Sequence, residues 1–351
     1  MKKKTSHPVG IGMIGAGFVA DMYLRGLEKV RGQELVAIAA RTTARGTALV
    51  ERHGEGTVVS GVGELLSMSE VDLVVVAVPQ ESHVDVVRAT AAAGKAVICT
   101  KPLGRNSREA AECLAAVKNA GVWHGYAETA VFSPSTRKAK QIIDSGAIGR
   151  VLTFRGREAH GSPHAFALDK ERMGGGPLRG LGCHPIALGR YFLSGSQPVD
   201  VFAWGERLHR TDVESEDNAV ALVRFDDGRL MQIEASWTHV PGLDVRREVF
   251  GSEGWIGTTD TGETGIRAFA GRPIEHVTEK ATVRTGWITP VPEEDVSFGY
   301  HGQFDHFIQC FRENRMPLQT LEDGLIDAQI IDAAYVSMGS GRWEPIAGGA
   351  A

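Results

Sequence analysis

The feature that most constrains this chain is Gly15-Ala16-Gly17-Phe18-Val19-Ala20, a G-x-G-x-x-A run between a strand-like segment at 9–14 and a helical pattern at 19–30. Each residue type suits its place. Gly15 makes the tight turn, and Gly17 has no side chain to hold the backbone off a pyrophosphate. Ala20 lets the helix pack closely on the strand. Phe18 and Val19 open a helix whose N-terminus offers free N–H groups and positive potential. Alone, such a run is an ordinary strand–helix turn; its meaning depends on the surrounding pattern.

That pattern alternates. Strand-like runs at 35–40, 58–60, 73–78, 96–99 and 122–126 are interleaved with helical stretches at 43–53, 83–93 and 107–120. Short apolar strands separated by helices predict βαβ units and a parallel, doubly wound Rossmann sheet. From residue 151 the character changes. Strand-like segments at 151–157, 201–204, 218–225, 229–237 and 246–250 follow one another, and Asp226-Asp227-Gly228 marks a hairpin turn. Helical patterns at 138–145, 177–193, 304–312 and 321–338 flank this block. Grouped strands predict an α+β domain with a largely antiparallel, open sheet. The expected division is a nucleotide-binding domain at 1–127 and a second domain for substrate and oligomerisation at 128–351.

A chain of 351 residues fits two such cores. The net charge of −5 gives no basic face for nucleic acid. Met1-Lys2-Lys3-Lys4 is followed by no apolar signal core, and the apolar runs are strand-length, so neither secretion nor a membrane is expected. Cys99, Cys113, Cys183 and Cys310 are scattered, which argues against disulfides and a cysteine-built metal site and suits a reducing cytoplasm.

The first βα unit implies a nicotinamide dinucleotide. An acid at the end of the second strand would bind the ribose hydroxyls of NAD. This chain has Arg41-Thr42-Thr43-Ala44-Arg45 there, and Arg41, Thr42 and Arg45 suit a 2′-phosphate. The expectation is NAD(P), with NADP favoured over NAD.

Further stretches carry a family likeness. They are Ala77-Val78-Pro79 with His83, Val97-Ile98-Cys99-Thr100-Lys101-Pro102-Leu103, Ser145-Gly146-Ala147-Ile148-Gly149-Arg150-Val151, Gly174-Gly175-Gly176-Pro177 leading to Gly182-Cys183-His184, and Gly251-Ser252-Glu253-Gly254. With the glycine run, in this order and over nearly the whole chain, the sequence resembles the glucose–fructose oxidoreductase, inositol dehydrogenase and rhizopine-catabolism (Gfo/Idh/MocA) family. The resemblance implies hydride transfer between nicotinamide and a secondary alcohol or ketone on a sugar, cyclitol or related ring, in a homo-oligomer (dimer or tetramer). It implies cofactor contacts from Pro79, His83, Lys101 and Pro102, with Lys101 and His184 catalytic. Two family positions differ: the glutamate before the lysine is Thr100, and the aspartate before the histidine is Gly180. Three alternatives stay open: His184 acts alone, a carboxylate comes from elsewhere, or catalysis is impaired.

The residues support these roles on their own chemistry. Lys101 follows a strand at its carboxyl end, where open α/β sheets bind ligands. Its ammonium would stabilise a developing alkoxide, and Pro102 would restrict its presentation. His184 can act as general base near neutral pH. Glu128, again past a strand end, could bind substrate hydroxyls or replace the missing carboxylate. His160 and His164 have a spacing that suits a metal on a helix, but the Gly161-Ser162-Pro163 between them makes a helix implausible. They are expected to bind sugar hydroxyls, with no metal. Two further function classes fit: a redox-neutral glycosidase using tightly held NAD, and a non-enzymatic dinucleotide-binding sensor.

Overall fold

The structure is a computed structural model that describes residues 7–262, 264–274, 278 and 281–348, so the basic start lies outside the described residues. It divides into two compact units: Met1–Thr129 with Gly299–Leu325, and Ala130–Phe298 with Ile326–Ala351.

The first unit runs β1 (Val9–Ile14), α1 (Phe18–Glu28), β2 (Gln33–Ala39), α2 (Thr43–His53), β3 (Thr57–Val59), α3 (Val62–Ser67), β4 (Leu73–Val76), α4 (His83–Ala92), β5 (Ala96–Thr100), α5 (Ser107–Ala120) and β6 (His124–Ala127). The six strands form one sheet in the order β3-β2-β1-β4-β5-β6, every pair parallel. β1, β4, β5 and β6 are buried at every residue, as expected of strands covered on both faces. Ile14 pairs with Val76, Val76 with Cys99, and Thr100 with Ala127. The carboxyl ends of β1, β4, β5 and β6 therefore lie along one edge. The strand order reverses between β1 and β4, the switch point where such sheets take their ligands. The short α3 was not visible as a pattern in the sequence.

The second unit continues with α6 (Pro134–Asp144), β7 (Val151–Ala159), α7 (Lys170–Met173), α8 (Pro177–Gly180), α9 (Cys183–Phe192), β8 (Pro198–Glu206), β9 (Asn218–Phe225), β10 (Leu230–Ser236), β11 (Asp244–Gly251), β12 (Trp255–Thr259), β13 (Ala268–Ala270), β14 (Gly286–Ile288) and α10 (Glu294–Ser297). Then come α11 (Tyr300–Arg312), α12 (Leu321–Ser340) and β15 (Glu344–Pro345). The main sheet has the order β12-β11-β7-β10-β9-β8-β15, and β13 pairs with β14 apart from it. β7 and β10 are parallel; the other neighbours are antiparallel. The hairpin forms at 226–228, with Gly228 at φ +84 and Leu230 paired to Arg224. The helix expected at 177–193 is two helices. The amides of Leu181 and Gly182 both turn back to the Pro177 carbonyl, ending α8 before α9 begins.

The second domain expected at 128–351 is not continuous, because α11 belongs to the first unit. Tyr23 of α1 packs against Tyr300 (5.8 Å between ring centroids) and Phe304 (5.1 Å), and Trp123 against Phe307 and Phe311. These rings bury α11's apolar stripe there. Among the described residues no helix is long and apolar enough to cross a membrane.

Candidate active site

Gly15 and Gly17 do different jobs at the mouth of the first unit. Gly15 has φ +116, and a Cβ there would stand 2.2 Å from the Ala77 carbonyl oxygen. This turn tolerates only glycine. Gly17 is extended (φ −97, ψ −171) and caps α1 without a side-chain hydrogen bond. A Cβ at Gly17 would meet nothing within 4 Å. That open volume, over the N-terminus of an eleven-residue helix, fits a pyrophosphate held by backbone N–H groups. Ala20 is fully buried beneath it, Val19 is half-buried, and Phe18 is exposed at the rim. Arg41, Thr42 and Arg45 are exposed at the end of β2 and in the first turn of α2, which contains no acid.

Pro79 is half-buried just past β4. His83, expected to contact the cofactor, is instead fully buried. Its Nδ1 lies 3.0 Å from the Leu103 carbonyl oxygen and its Nε2 2.9 Å from that of Val78. The ring therefore ties the segment after β5 to the end of β4. Burial pushes its imidazole below the ordinary histidine range, against the pull of the two carbonyls.

Lys101 is half-buried directly after β5, and its bond to the buried Pro102 is cis. Thr100 is buried beside it, its Oγ1 2.6 Å from the Tyr23 hydroxyl. Burial raises the Tyr23 hydroxyl above the ordinary tyrosine range, so it stays protonated. Glu128 is completely buried past the end of β6. The parallel register thus puts Gly15, Gly17, Pro79, Lys101 and Glu128 along one sheet edge.

The second unit gathers a polar cluster on β7 and α9. Phe154, Gly156 and Glu158 are all buried and alternate along one face of β7. A Cβ at Gly156 would lie 2.5 Å from Pro185 Cβ, so the missing side chain lets the start of α9 sit on the strand. His184, one residue earlier, then reaches Glu158, with Nε2 3.8 Å from Oε1. His160 Nε2 lies 3.5 Å from the same oxygen. Burial alone would raise the Glu158 carboxyl, but the His184 and His160 imidazoles and the Arg247 guanidinium hold it well below the usual carboxylate range. Arg247 is itself paired with Asp260, which accepts a bond from Ser135 Oγ at 2.7 Å.

His160 and His164 are not on a helix: β7 ends at Ala159, and the chain is irregular up to a short 3₁₀ turn at Ala165–Leu168. His160 is buried with its amide bonded to the Ser236 carbonyl, whereas His164 stacks on Phe166 with ring centroids 5.9 Å apart. The structure thus brings His160 and His184 together at Glu158 and leaves His164 outside that cluster. At Gly180, a Cβ would stand 2.6 Å from Met173 Cε and 3.5 Å from the Trp237 ring. Met173 and Trp237 belong to an apolar cluster with Leu181, Val213 and Ala235. A side chain at this position would face hydrocarbon, with Met173 turning aside to admit it.

Glu158 was passed over in the sequence, although a signal exists. An acid standing in period two with Phe154 and Gly156 lies on the buried face of its strand, where a carboxylate needs partners.

The comparisons agree with this architecture. Residues 9–128 match the family described as "Oxidoreductase family, NAD-binding Rossmann fold", and residues 136–257 match "GFO/IDH/MocA C-terminal domain". The chain is 30% identical over 261 residues to the myo-inositol 2-dehydrogenase of Thermotoga maritima, covering 73% of this chain and 77% of that protein. It is 26% identical over 342 residues to the scyllo-inositol 2-dehydrogenase (NAD(+)) of Bacillus subtilis, covering 95% of each. The solved structure of GenD2 from gentamicin A biosynthesis, in complex with NAD, superposes with a TM-score of 0.89 at 27% identity, over 97% of this chain and 96% of that one. With a Rossmann unit whose glycine mouth suits a dinucleotide and both halves matched in order, the chain is a nicotinamide-dependent oxidoreductase and belongs to the Gfo/Idh/MocA family.

Proposed function

We propose that the protein is a dehydrogenase that moves a hydride between nicotinamide and a secondary alcohol or ketone on a sugar, cyclitol or related ring. The observation that carries this reading is the open volume at Gly17 over the uncapped start of α1, on the sheet edge that also carries Lys101. Bound nicotinamide supplies the hydride acceptor or donor. Lys101 holds the substrate oxygen and stabilises the alkoxide charge that develops as the carbinol C–H bond breaks. The His184 imidazole takes the hydroxyl proton in oxidation and returns it in reduction. Glu128, His160 and His164 serve as groups for ring hydroxyls. The ring-polyol class is supported by the names of the two inositol dehydrogenases.

For the cofactor, the residues at the end of β2 favour NADP over NAD: Arg41 and Arg45 are exposed beside an α2 terminus without an acid. Exposed Leu152, Trp204 and Trp255 on the second sheet support self-association as a homo-oligomer. The four buried thiols suit a reducing cytoplasm.

The test is a panel of inositols, monosaccharides and anhydrosugars with NAD and with NADP, followed by the absorbance of reduced nicotinamide. Lys101→Ala should lower kcat by about 10²–10³ while retaining dinucleotide affinity. Normal turnover by that variant would end the proposed mechanism.

A further inference from the structure

We infer that Glu158 is the positioning carboxylate of His184, supplied from β7 in place of the aspartate whose position Gly180 has taken; the inference rests on the dehydrogenase reading for its catalytic consequence. Two independent observations carry it. The first is the packing that leads to Glu158: Gly156 admits Pro185, and the next residue on each side, on its own face, brings the Glu158 and His184 side chains within 3.8 Å. The second is the filling of the vacated position. Met173 Cε and the Trp237 ring stand 2.6 Å and 3.5 Å from where a Cβ at Gly180 would be, so a carboxylate there would face the apolar cluster.

The electrostatics agree. A buried carboxylate needs cationic or hydrogen-bonding neighbours to remain ionised. Among the described residues, the groups that hold Glu158 ionised include His160 on its own chain segment, His184 from α9 and Arg247 from β11. Arg247 is also paired with Asp260, and the two imidazoles lie 3.5 Å and 3.8 Å from the Glu158 carboxylate oxygen. When His184 takes up the hydroxyl proton, the resulting imidazolium faces an anion already in place. His160, sharing the same carboxylate oxygen, restrains the carboxylate from turning away.

The experiment uses the full chain with Glu158→Gln, which keeps the side chain's size and removes its charge. Thermal unfolding serves as the folding control. At a fixed pH, the ring ¹⁵N resonances of His184 should move from their wild-type positions. With the best substrate from the panel, kcat should fall by about tenfold to a hundredfold. Dinucleotide affinity should hold. Unchanged His184 resonances would overturn the inference. Should glutamine at 158 compromise folding, Glu158→Asp takes its place: the charge stays but retreats by one methylene. A partial effect then supports the coupling, and a His184 ring identical to wild type overturns it. The resonance measurement needs no turnover, so failure of the dehydrogenase reading and failure of this inference are seen separately.

Discussion

Gly15→Ala and Gly17→Ala should have opposite consequences although they lie two residues apart. At Gly15 the new Cβ would stand 2.2 Å from Ala77 O and 2.7 Å from Ala77 C, on a residue with φ +116. Ala77 cannot yield cheaply, since its amide donates to Ile14 O at 2.8 Å, while the Gly15 amide donates to Ala39 O at 2.9 Å. The left-handed backbone costs about 1–2 kcal/mol and the overpacking about 1–3 kcal/mol, together about 2–5 kcal/mol. For a unit of this size that lowers Tm by on the order of 10 °C. At Gly17 the Cβ would meet nothing within 4 Å, and φ −97 is open to any residue. Stability should stay within about 1 kcal/mol of wild type, or rise slightly as the unfolded chain loses freedom. The methyl would stand where the pyrophosphate approaches, so dinucleotide affinity should fall at least about tenfold, equivalent to about 1.4 kcal/mol. Thermal unfolding and titration with NADH and NADPH measure both arms. Wild-type affinity in Gly17→Ala, or wild-type stability in Gly15→Ala, would refute the division of labour.

Three further outcomes follow from the geometry. Arg41→Ser combined with Arg45→Ser should lower the ratio of kcat/KM for NADP over NAD by about tenfold or more; an unchanged ratio in steady-state assays would remove both residues from cofactor selection. Tyr23→Phe deletes the 2.6 Å bond to Thr100 and leaves a buried hydroxyl without its partner. It should cost about 1–3 kcal/mol in denaturant unfolding, and an unaltered midpoint would count against the contact. The depressed carboxyl of Glu158 gives a signed pH dependence. Its stabilisation is present above the unfolded carboxylate value of about 4.3 and is lost as pH falls below it, because the folded state resists the proton that the unfolded chain accepts. Glu158→Gln should therefore flatten the acid limb of the stability curve, and an identical acid limb would contradict the assigned charge state.

Much of the first unit was legible because its information is local. A strand, a glycine turn and a helix follow one another within one stretch, so Gly15, Gly17 and Ala20 announce their roles by spacing alone. The parallel sheet was equally readable, since strands buried on both faces appear as unbroken apolar runs such as Leu73–Val76. His83 shows the limit of that reading. The ring is buried between two backbone carbonyls, Leu103 and Val78, a pairing that only the folded loops could reveal.

The sequence by itself determined that a dinucleotide-type βαβ half leads the chain, that an antiparallel-rich half follows, and that Lys101 stands at a strand end. Tertiary structure alone decided that α11 returns to the first unit through Tyr23, Tyr300 and Phe304, and that Glu158 and His184 meet within 3.8 Å while Gly180 faces Met173 and Trp237. The reason is physical. Turns and periodicities are properties of neighbouring residues, whereas a buried carboxylate finds its partner only when a strand face and a helix terminus, distant in sequence, pack against each other.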